Sequence, residues 1–473
     1  VEGRTGRTIT WGALAGQVAG WTGRSDIAGR AVLLRQERPL EFITSYLGLL
    51  AAGAVVFPMA PDAPEADVAA AVDGFDIGGP APVGWAEPGT VVLRTSGTTG
   101  APKGVPLGEA RLLHAACLVA RHHRLYPGDT VYSPLPLFHI NAQVVGVLAA
   151  LVSGATLAVD DRFHRTGFWD VMDRCGVTVL NAVPAILAIL AQEPPPPPAV
   201  AARIRFARSA SAPLPPATLR RFEQRCGIGV LETYGMTEAA GQICANPLEP
   251  AARRPGSVGQ PVGLEVRLIG DDGAPLAAGA AGLVEILGPT VVDHYLVPGA
   301  PPSRAPAAGA GGWFRTDDVG YRDDEGFLYL LGRIDGVINR GGEKVYPRVV
   351  EEVLRGHPGV AEAAVVGVPD PVLGEVPVAF VVPRGAPQGA GSNARGAPQG
   401  AGSKPRGAPQ GAGSKEAGIP AGDSADLPTQ LLQLCERELS RHQRPARIAL
   451  ADSLPFTPTG KVRRDALREL ATS

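Results

Sequence analysis

The chain is poor in the features that mark several protein classes. Its five cysteines, Cys117, Cys175, Cys226, Cys244 and Cys435, form no Cys-x-x-Cys pair. That argues against a zinc site or a disulfide framework, and they read as buried thiols in a reducing compartment. A basic excess is also missing: 44 Lys+Arg stand against 46 Asp+Glu, a formal net charge of -2. A nucleic-acid or membrane-surface binder is therefore not expected. The longest apolar stretches, Leu47 to Ala60 and Val144 to Val159, are broken by Gly or Pro and fall short of a membrane span. With no signal peptide legible, a cytoplasmic protein is expected. What remains is globular in composition, 45% hydrophobic and 19% charged. At 473 residues it is too long for one core, so at least two domains are expected.

The most informative stretch is Thr95-Ser96-Gly97-Thr98-Thr99-Gly100-Ala101-Pro102-Lys103-Gly104. Val91 to Leu93 before it reads as a buried strand, and Arg111 to Ala120 after it as a helix. Glycines let backbone N–H groups curl around an anion, hydroxyls add donors, and Lys103 supplies a mobile positive charge. That combination suits a triphosphate. It is not a GxxxxGK[ST] loop, because no Gly-Lys-Ser/Thr follows at the required offset.

Around it the pattern is α/β. Strand-like Ala31 to Leu34, helical Leu40 to Ala52 and strand-like Ala54 to Pro58 suggest a parallel unit. Thr8 to Trp21 reads as a short strand entering a helix, and Pro194 to Pro198 as an extended connection. Helix and strand alternate again from Val144 to Ala207, and Leu264 to Ile269 and Leu283 to Leu287 alternate as strands of a smaller β-rich subdomain. Val349 to Leu354 and Leu427 to Leu439 read as helices flanking two alternating strands. Between them Arg-Gly-Ala-Pro-Gln-Gly-Ala-Gly-Ser occurs three times, from Arg384, Arg395 and Arg406. Alanine is its sole apolar residue, too little to stack a solenoid, so it reads as a disordered linker.

Further along, Thr233-Tyr234-Gly235-Met236-Thr237-Glu238 offers an aromatic ring for a base, a hydroxyl for an α-phosphate and a hard carboxylate for Mg²⁺. The small residues of Ser209-Ala210-Ser211-Ala212-Pro213 would let a flat base approach the backbone. Gly341 and Gly342 leave the backbone open to close approach by a thin ligand arm.

In order and spacing, these motifs resemble the adenylate-forming superfamily: acyl-CoA synthetases, peptide-synthetase adenylation domains and luciferases. The resemblance covers nearly the whole chain from Leu93 apart from the repeats. It implies a large N-terminal adenylation domain, 1–333, of parallel-sheet α/β subdomains with a small β-rich subdomain. A smaller mobile α+β C-terminal domain, 334–473, would follow, with the repeat insertion at 384–422. Thr95 to Gly100 with Lys103 would hold the phosphates of ATP. Ser211, Ala212, Pro213, Thr233, Tyr234, Gly235, Met236 and Thr237 would hold the adenylate, and Asp318 and Arg333 the ribose. Glu238 would ligate Mg²⁺. His139, in Leu135-Pro136-Leu137-Phe138-His139, would line the acyl pocket with Ser209, Gly241 and Gln242 and gate the thiol. Asp335 would be the hinge, Gly341 and Gly342 would admit the thiol-bearing arm of coenzyme A, and Lys461 would bridge the carboxylate and the α-phosphate.

The resemblance implies the reaction too. A carboxylate displaces pyrophosphate from ATP, and the acyl group passes to coenzyme A. A carrier protein or another acceptor, and a nucleotide-binding paralogue without turnover, are the alternatives. The run Ser209 to Val262 looks closest to oxalate–CoA ligases, but Gly241 stands where those have histidine. Malonate–CoA ligases carry arginine where this chain has Thr233. Two further departures are Asp317, in place of a glycine before Asp318, and the short Val72 to Val91 segment, which implies a trimmed first subdomain. A small carboxylic acid is the expected substrate.

Overall fold

The computed structural model describes residues 1–81, 86–95, 102–299, 303–385, 427–456 and 462–472. The chain divides into two compact units, Val1–Asp335 and Gly336–Ser473.

In the first unit, Ala31–Leu34 and Val55–Pro58 pair in parallel, joined by the helix Pro39–Ala51. Their sheet continues through Thr90–Thr95, Lys103–Gly108, His294–Val297 and Ser303–Pro306. Its second half is antiparallel, because Lys103–Gly108 folds back on Thr90–Thr95 with Lys103 opposite Thr95. The sequence reading ran the loop toward the following helix and missed this strand. Its apolar residues Val105 and Leu107 are fully buried, which holds it to the sheet.

A second sheet has the order Gln260–Pro261, Gly241–Ala245, Val230–Met236, Phe206–Ser209, Val179–Ala182, Thr130–Ser133 and Thr156–Val159. The last five pair in parallel, the first two antiparallel. Val179–Ala182 and Phe206–Ser209 are buried along their whole length, as parallel strands covered on both faces must be. Against that rule, three of their residues are polar: Ser209, and Asn181 and Arg208, which stand directly opposite each other. A third, four-stranded sheet of Glu265–Ile269, Gly282–Leu287, Phe314–Arg322 and Leu328–Arg333 is wholly antiparallel.

Several local expectations are corrected. Residues 8–10 form no strand; Thr10 caps the helix Trp11–Ala19, its hydroxyl accepting from the Ala13 N–H at 3.1 Å. The helix Glu65–Phe75 was not foreseen. The proline run ends inside a helix, since Pro198 opens Pro198–Arg203, where a missing N–H costs nothing. All five cysteines are free, but Cys117 is exposed and Cys175 only half-buried. No helix among the described residues is long and apolar enough to cross a membrane.

The second unit is built on Val360–Asp370 and Gly374–Pro383, extended by Ile338–Arg340, Glu343–Val345 and Arg447–Leu450. Period-two alternation buries both faces. Ala363 and Val365 pack with helices Pro347–Arg355 and Leu427–Glu438, while Ala364 and Val366 pack with Leu467 of helix Arg464–Thr472. Glu351, buried in the first of these helices, accepts from Arg464 at 2.6 Å, Arg355 at 3.2 Å and the Val365 N–H at 2.9 Å. Burial works to raise its carboxyl, but the two arginines and the amide outweigh it and hold the group below the usual carboxylate range.

Candidate active site

Three strand ends of the first unit bring the expected residues together. Lys103 opens its strand beside His294–Val297, which pairs with it at Leu296 and Gly104. That register sets the Lys103 ammonium 5.1 Å from the centre of the Tyr295 ring. The Tyr295 hydroxyl donates to Glu238 Oε1 at 3.2 Å. One tyrosine thus separates the lysine of the phosphate loop from the carboxylate expected to face the metal. Nothing in the sequence around Tyr295 signalled this; the signal is the pairing of two strands almost 200 residues apart. Ser96, Gly97, Thr98, Thr99 and Gly100 lie outside the described residues, as do Lys461 and the repeats from residue 386 onward.

Glu238 follows Val230–Met236 in a single turn, Thr237–Ala239, and is buried. Burial pushes its carboxyl above the ordinary range, and the Tyr295 hydrogen bond and Arg333 oppose that. Its backbone carbonyl accepts from the Val292 N–H at 2.8 Å. Among the described residues no three His, Cys, Asp or Glu side chains cluster to hold a metal alone. One carboxylate fits Mg²⁺ when phosphate oxygens complete the shell.

The strand Val230–Met236 carries Tyr234 into the core of the third sheet, where its hydroxyl donates to Asp318 Oδ2. This ties the expected adenine residue to the expected ribose residue. Burial, then Asp318, push the phenol far up, so it stays a donor. Thr233 is buried with its hydroxyl 3.5 Å from the Ser209 carbonyl. Asp318 also receives structure from Thr316, whose hydroxyl accepts the Asp318 N–H at 3.1 Å and donates to the Val284 carbonyl. Around Arg333 stand three carboxylates: Asp317 at 3.5 Å, Asp335 at 3.6 Å and Asp318 at 3.9 Å. Asp317 itself has φ +62°. A glycine at that position would meet no strain, and the aspartate is one of the few other residues that tolerates it.

The expected acyl pocket is only partly assembled by contacts. His139 is exposed, its ring 4.5 Å from that of Phe138. After it the chain enters a buried π-helix, Asn141–Leu148, a widened turn type that concentrates at functional sites. Asn141 at its start donates from Nδ2 to the Ser211 hydroxyl at 3.1 Å. Ser211 is held in left-handed backbone at φ +70°. Gly241 has φ +112°, and a Cβ there would point toward Val144 of the π-helix at 3.8 Å. A histidine in this place would strain the backbone. Gln242 is buried, and among the described residues neither its amide oxygen nor its nitrogen has a partner. Ser209 is also buried, its hydroxyl without a partner among the described residues, but strand alternation turns it away from Arg208 beside it. Ala212 and Pro213 lie in the turn that follows Ser211, and Met236 packs with Tyr234.

In the second unit, Gly341 and Gly342 join Ile338–Arg340 to Glu343–Val345 with φ +61° and +91°. Two positive φ angles in a two-residue hairpin turn explain both glycines without any passing ligand. On the C-terminal side, the Arg463 N–H donates to the Pro455 carbonyl at 2.8 Å, and Phe456 bridges Val462.

Two family models match the chain: AMP-binding enzyme over residues 82–296, and AMP-binding enzyme C-terminal domain over residues 349–395. The sulfoacetate–CoA ligase of Cupriavidus necator is 40% identical over 408 residues, 86% of this chain and 72% of that protein. The oxalate–CoA ligase of Arabidopsis thaliana is 36% identical over 380 residues, 80% of this chain and 66% of that protein. Among solved structures, ATP-bound MatB from Rhodopseudomonas palustris superposes with a TM-score of 0.79 at 25% identity. The match covers 99% of this chain and 95% of that one.

Proposed function

From the premise that this chain belongs to the AMP-binding enzyme family, as an ATP-dependent carboxylate–CoA ligase, we propose the following activity. It joins a small carboxylic acid to coenzyme A through an acyl adenylate. The observation that carries the site assignment is the meeting of Lys103 and Glu238 on either side of Tyr295. Two motifs distant in sequence, one basic and one acidic, face the place where a triphosphate and its counter-ion would lie.

In the first step a carboxylate oxygen bonds to the α-phosphorus of ATP and the bond to pyrophosphate breaks. In the second, the thiol sulfur bonds to the acyl carbon, AMP leaves, and the thiol proton passes to solvent. Both reactants of the first step are anions, so positioning and charge stabilisation supply most of the catalysis. Lys103 faces the leaving phosphates. Tyr295 holds the Glu238 carboxylate in place, and Mg²⁺, when bound there, neutralises phosphate charge. Tyr234 fixes Asp318 for the ribose hydroxyls while its ring packs toward the base. Thr237 donates to the α-phosphate, and the role of bridging both reacting groups is assigned to Lys461 on the strength of its terminal motif alone. Asp335 and the hairpin at Gly341 and Gly342 serve the change between the two steps.

The small acid is supported by the relatives named for sulfoacetate and oxalate, and by the short polar side chains of Asn141 and Ser211, which meet beside the expected acyl position. The test is pyrophosphate release from Mg–ATP across mono- and dicarboxylates, sulfoacetate and aryl acids, with and without coenzyme A. Acid-dependent release with thioester formation is expected. Lys461→Ala should lower adenylation about 100-fold or more, with a far smaller change in ATP affinity. Release with no coenzyme A effect would shift the acceptor to a carrier protein. No release with any acid would leave a nucleotide-binding paralogue.

A further inference from the structure

Arg208 is an arginine in a place built for apolar side chains. It sits inside a parallel strand, 3% exposed, and reaches Asn141 at the start of the π-helix Asn141–Leu148. Among the described residues it has no carboxylate partner. Its Nη1 donates to the amide oxygens of Asn141 at 3.0 Å and Asn181 at 3.1 Å, and its Nε has no partner among the described residues. The nearby titratable groups are no help: His122 and His123 are both pushed down, by burial first and then by Arg208 itself, and so stay neutral. Burial also brings the guanidinium down to about 9. A buried, unpaired charge is among the costliest features a fold can carry. Something outside the described contacts should compensate it.

The hydrogen bonds point to where. Asn141 Oδ1 accepts from Arg208 Nη1 and from Asn181 Nδ2 at 3.2 Å, and Asn181 Nδ2 also reaches the Ser133 hydroxyl at 3.3 Å. With its oxygen doubly occupied, Asn141 can only donate outward, and it does so toward exposed Ser211. The charge of Arg208 is thereby relayed to the pocket edge, because donors in a chain polarise one another. Ser211 and His139 at that edge carry no negative charge.

We propose that Asn141, backed by Arg208 and joined by Ser211, holds a second anionic group on the acid. The substrate would then be a small acid with two anionic ends, a carboxylate to be activated and a carboxylate or sulfonate to be recognised. This rests on the ligase reading above. It also supplies the cationic element that Gly241 and Thr233 do not.

The experiment compares kcat/KM for sulfoacetate and malonate with that for acetate and propionate, in the wild type, Arg208→Lys, Arg208→Met and Asn141→Asp. The expected wild type prefers the dianions. Arg208→Met lowers the dianion-to-monoanion ratio about 100-fold, and Arg208→Lys restores part of it. Asn141→Asp is the variant that keeps the fold: its new carboxylate pairs with Arg208, so the thermal midpoint holds or rises while the preference is lost. A ratio unmoved in folded Asn141→Asp, or a wild type that prefers monoanions, overturns the proposal. Thermal stabilisation by sulfoacetate with AMP present needs no turnover. If no acid yields AMP, the ligase reading fails. The anion site then stands if sulfoacetate stabilises the wild type and not Asn141→Asp, and falls if it stabilises neither.

Discussion

Replacing Glu238 with glutamine is expected to lower adenylation about 100-fold and to raise the thermal midpoint of the ligand-free protein. Both effects have one cause. The carboxyl is buried and its folded pKa lies above its unfolded value, so the folded state resists the charged form. The stability it contributes is complete below the unfolded pKa and is lost as pH rises through the folded pKa. At neutral pH and above, Gln removes that penalty while keeping an oxygen to accept from Tyr295. The midpoint gain should shrink as pH falls into the carboxylate range. Catalysis loses in the same exchange, since a neutral amide neither attracts a divalent cation nor orders the phosphates. The wild type should show an acid limb in kcat/KM for Mg–ATP above the ordinary carboxylate range. Thermal scans across pH and steady-state kinetics check both halves. Activity within a few-fold of wild type would remove Glu238 from the site.

The second large effect is on folding. Gly235→Ala is expected to cost more than about 3 kcal/mol, beyond ordinary overpacking. An added Cβ would stand 1.7 Å from the Gly241 carbonyl oxygen, 2.6 Å from its carbon and 3.0 Å from Gln242 Cα. All three are backbone atoms of the neighbouring strand, so no side chain can swing aside. The strands Val230–Met236 and Gly241–Ala245 would have to part, and they carry Tyr234 and Gln242 with Glu238 in the turn between them. Gly16→Ala provides the opposite sign. It lies inside the helix Trp11–Ala19 with nothing near its Cβ, and should stabilise by about 0.5–1 kcal/mol. Urea unfolding of the two variants beside wild type reads the difference. Equal midpoints would mean the two strands do not approach as closely as described.

These cases show which parts of the molecule could be read from sequence. Ala31–Leu34 and Val55–Pro58 were legible because a buried parallel strand is a continuous apolar run, and the helix between them has its own period. The strand Lys103–Gly108 was not: Lys, two Gly and one Pro in six residues look like a loop, and its stability comes from pairing with Thr90–Thr95 and His294–Val297. Tyr295 and Arg208 were missed for a related reason. Neither lies in a motif, and each gains its role from a partner far away in sequence, Glu238 and Lys103 in one case and Asn141 in the other. Asp317 was visible as a departure, though its physical meaning needed the backbone angle. At Gly341 and Gly342 the sequence suggested a passage for a ligand arm, where turn geometry alone demands both glycines. Motif order therefore identified the chemistry, and tertiary pairing decides which side chains meet.

The measurement that bears most directly on acyl-adenylate chemistry is the fate of carboxylate oxygen. The protein would be given ¹⁸O-carboxylate-labelled acid, Mg–ATP and coenzyme A, and the products weighed by mass spectrometry. One labelled oxygen transferred to AMP, with unlabelled pyrophosphate and a thioester of the same acid, is the expected result. Label in orthophosphate with ADP, or unlabelled AMP, would contradict attack of the carboxylate on the α-phosphorus and with it the account of the site.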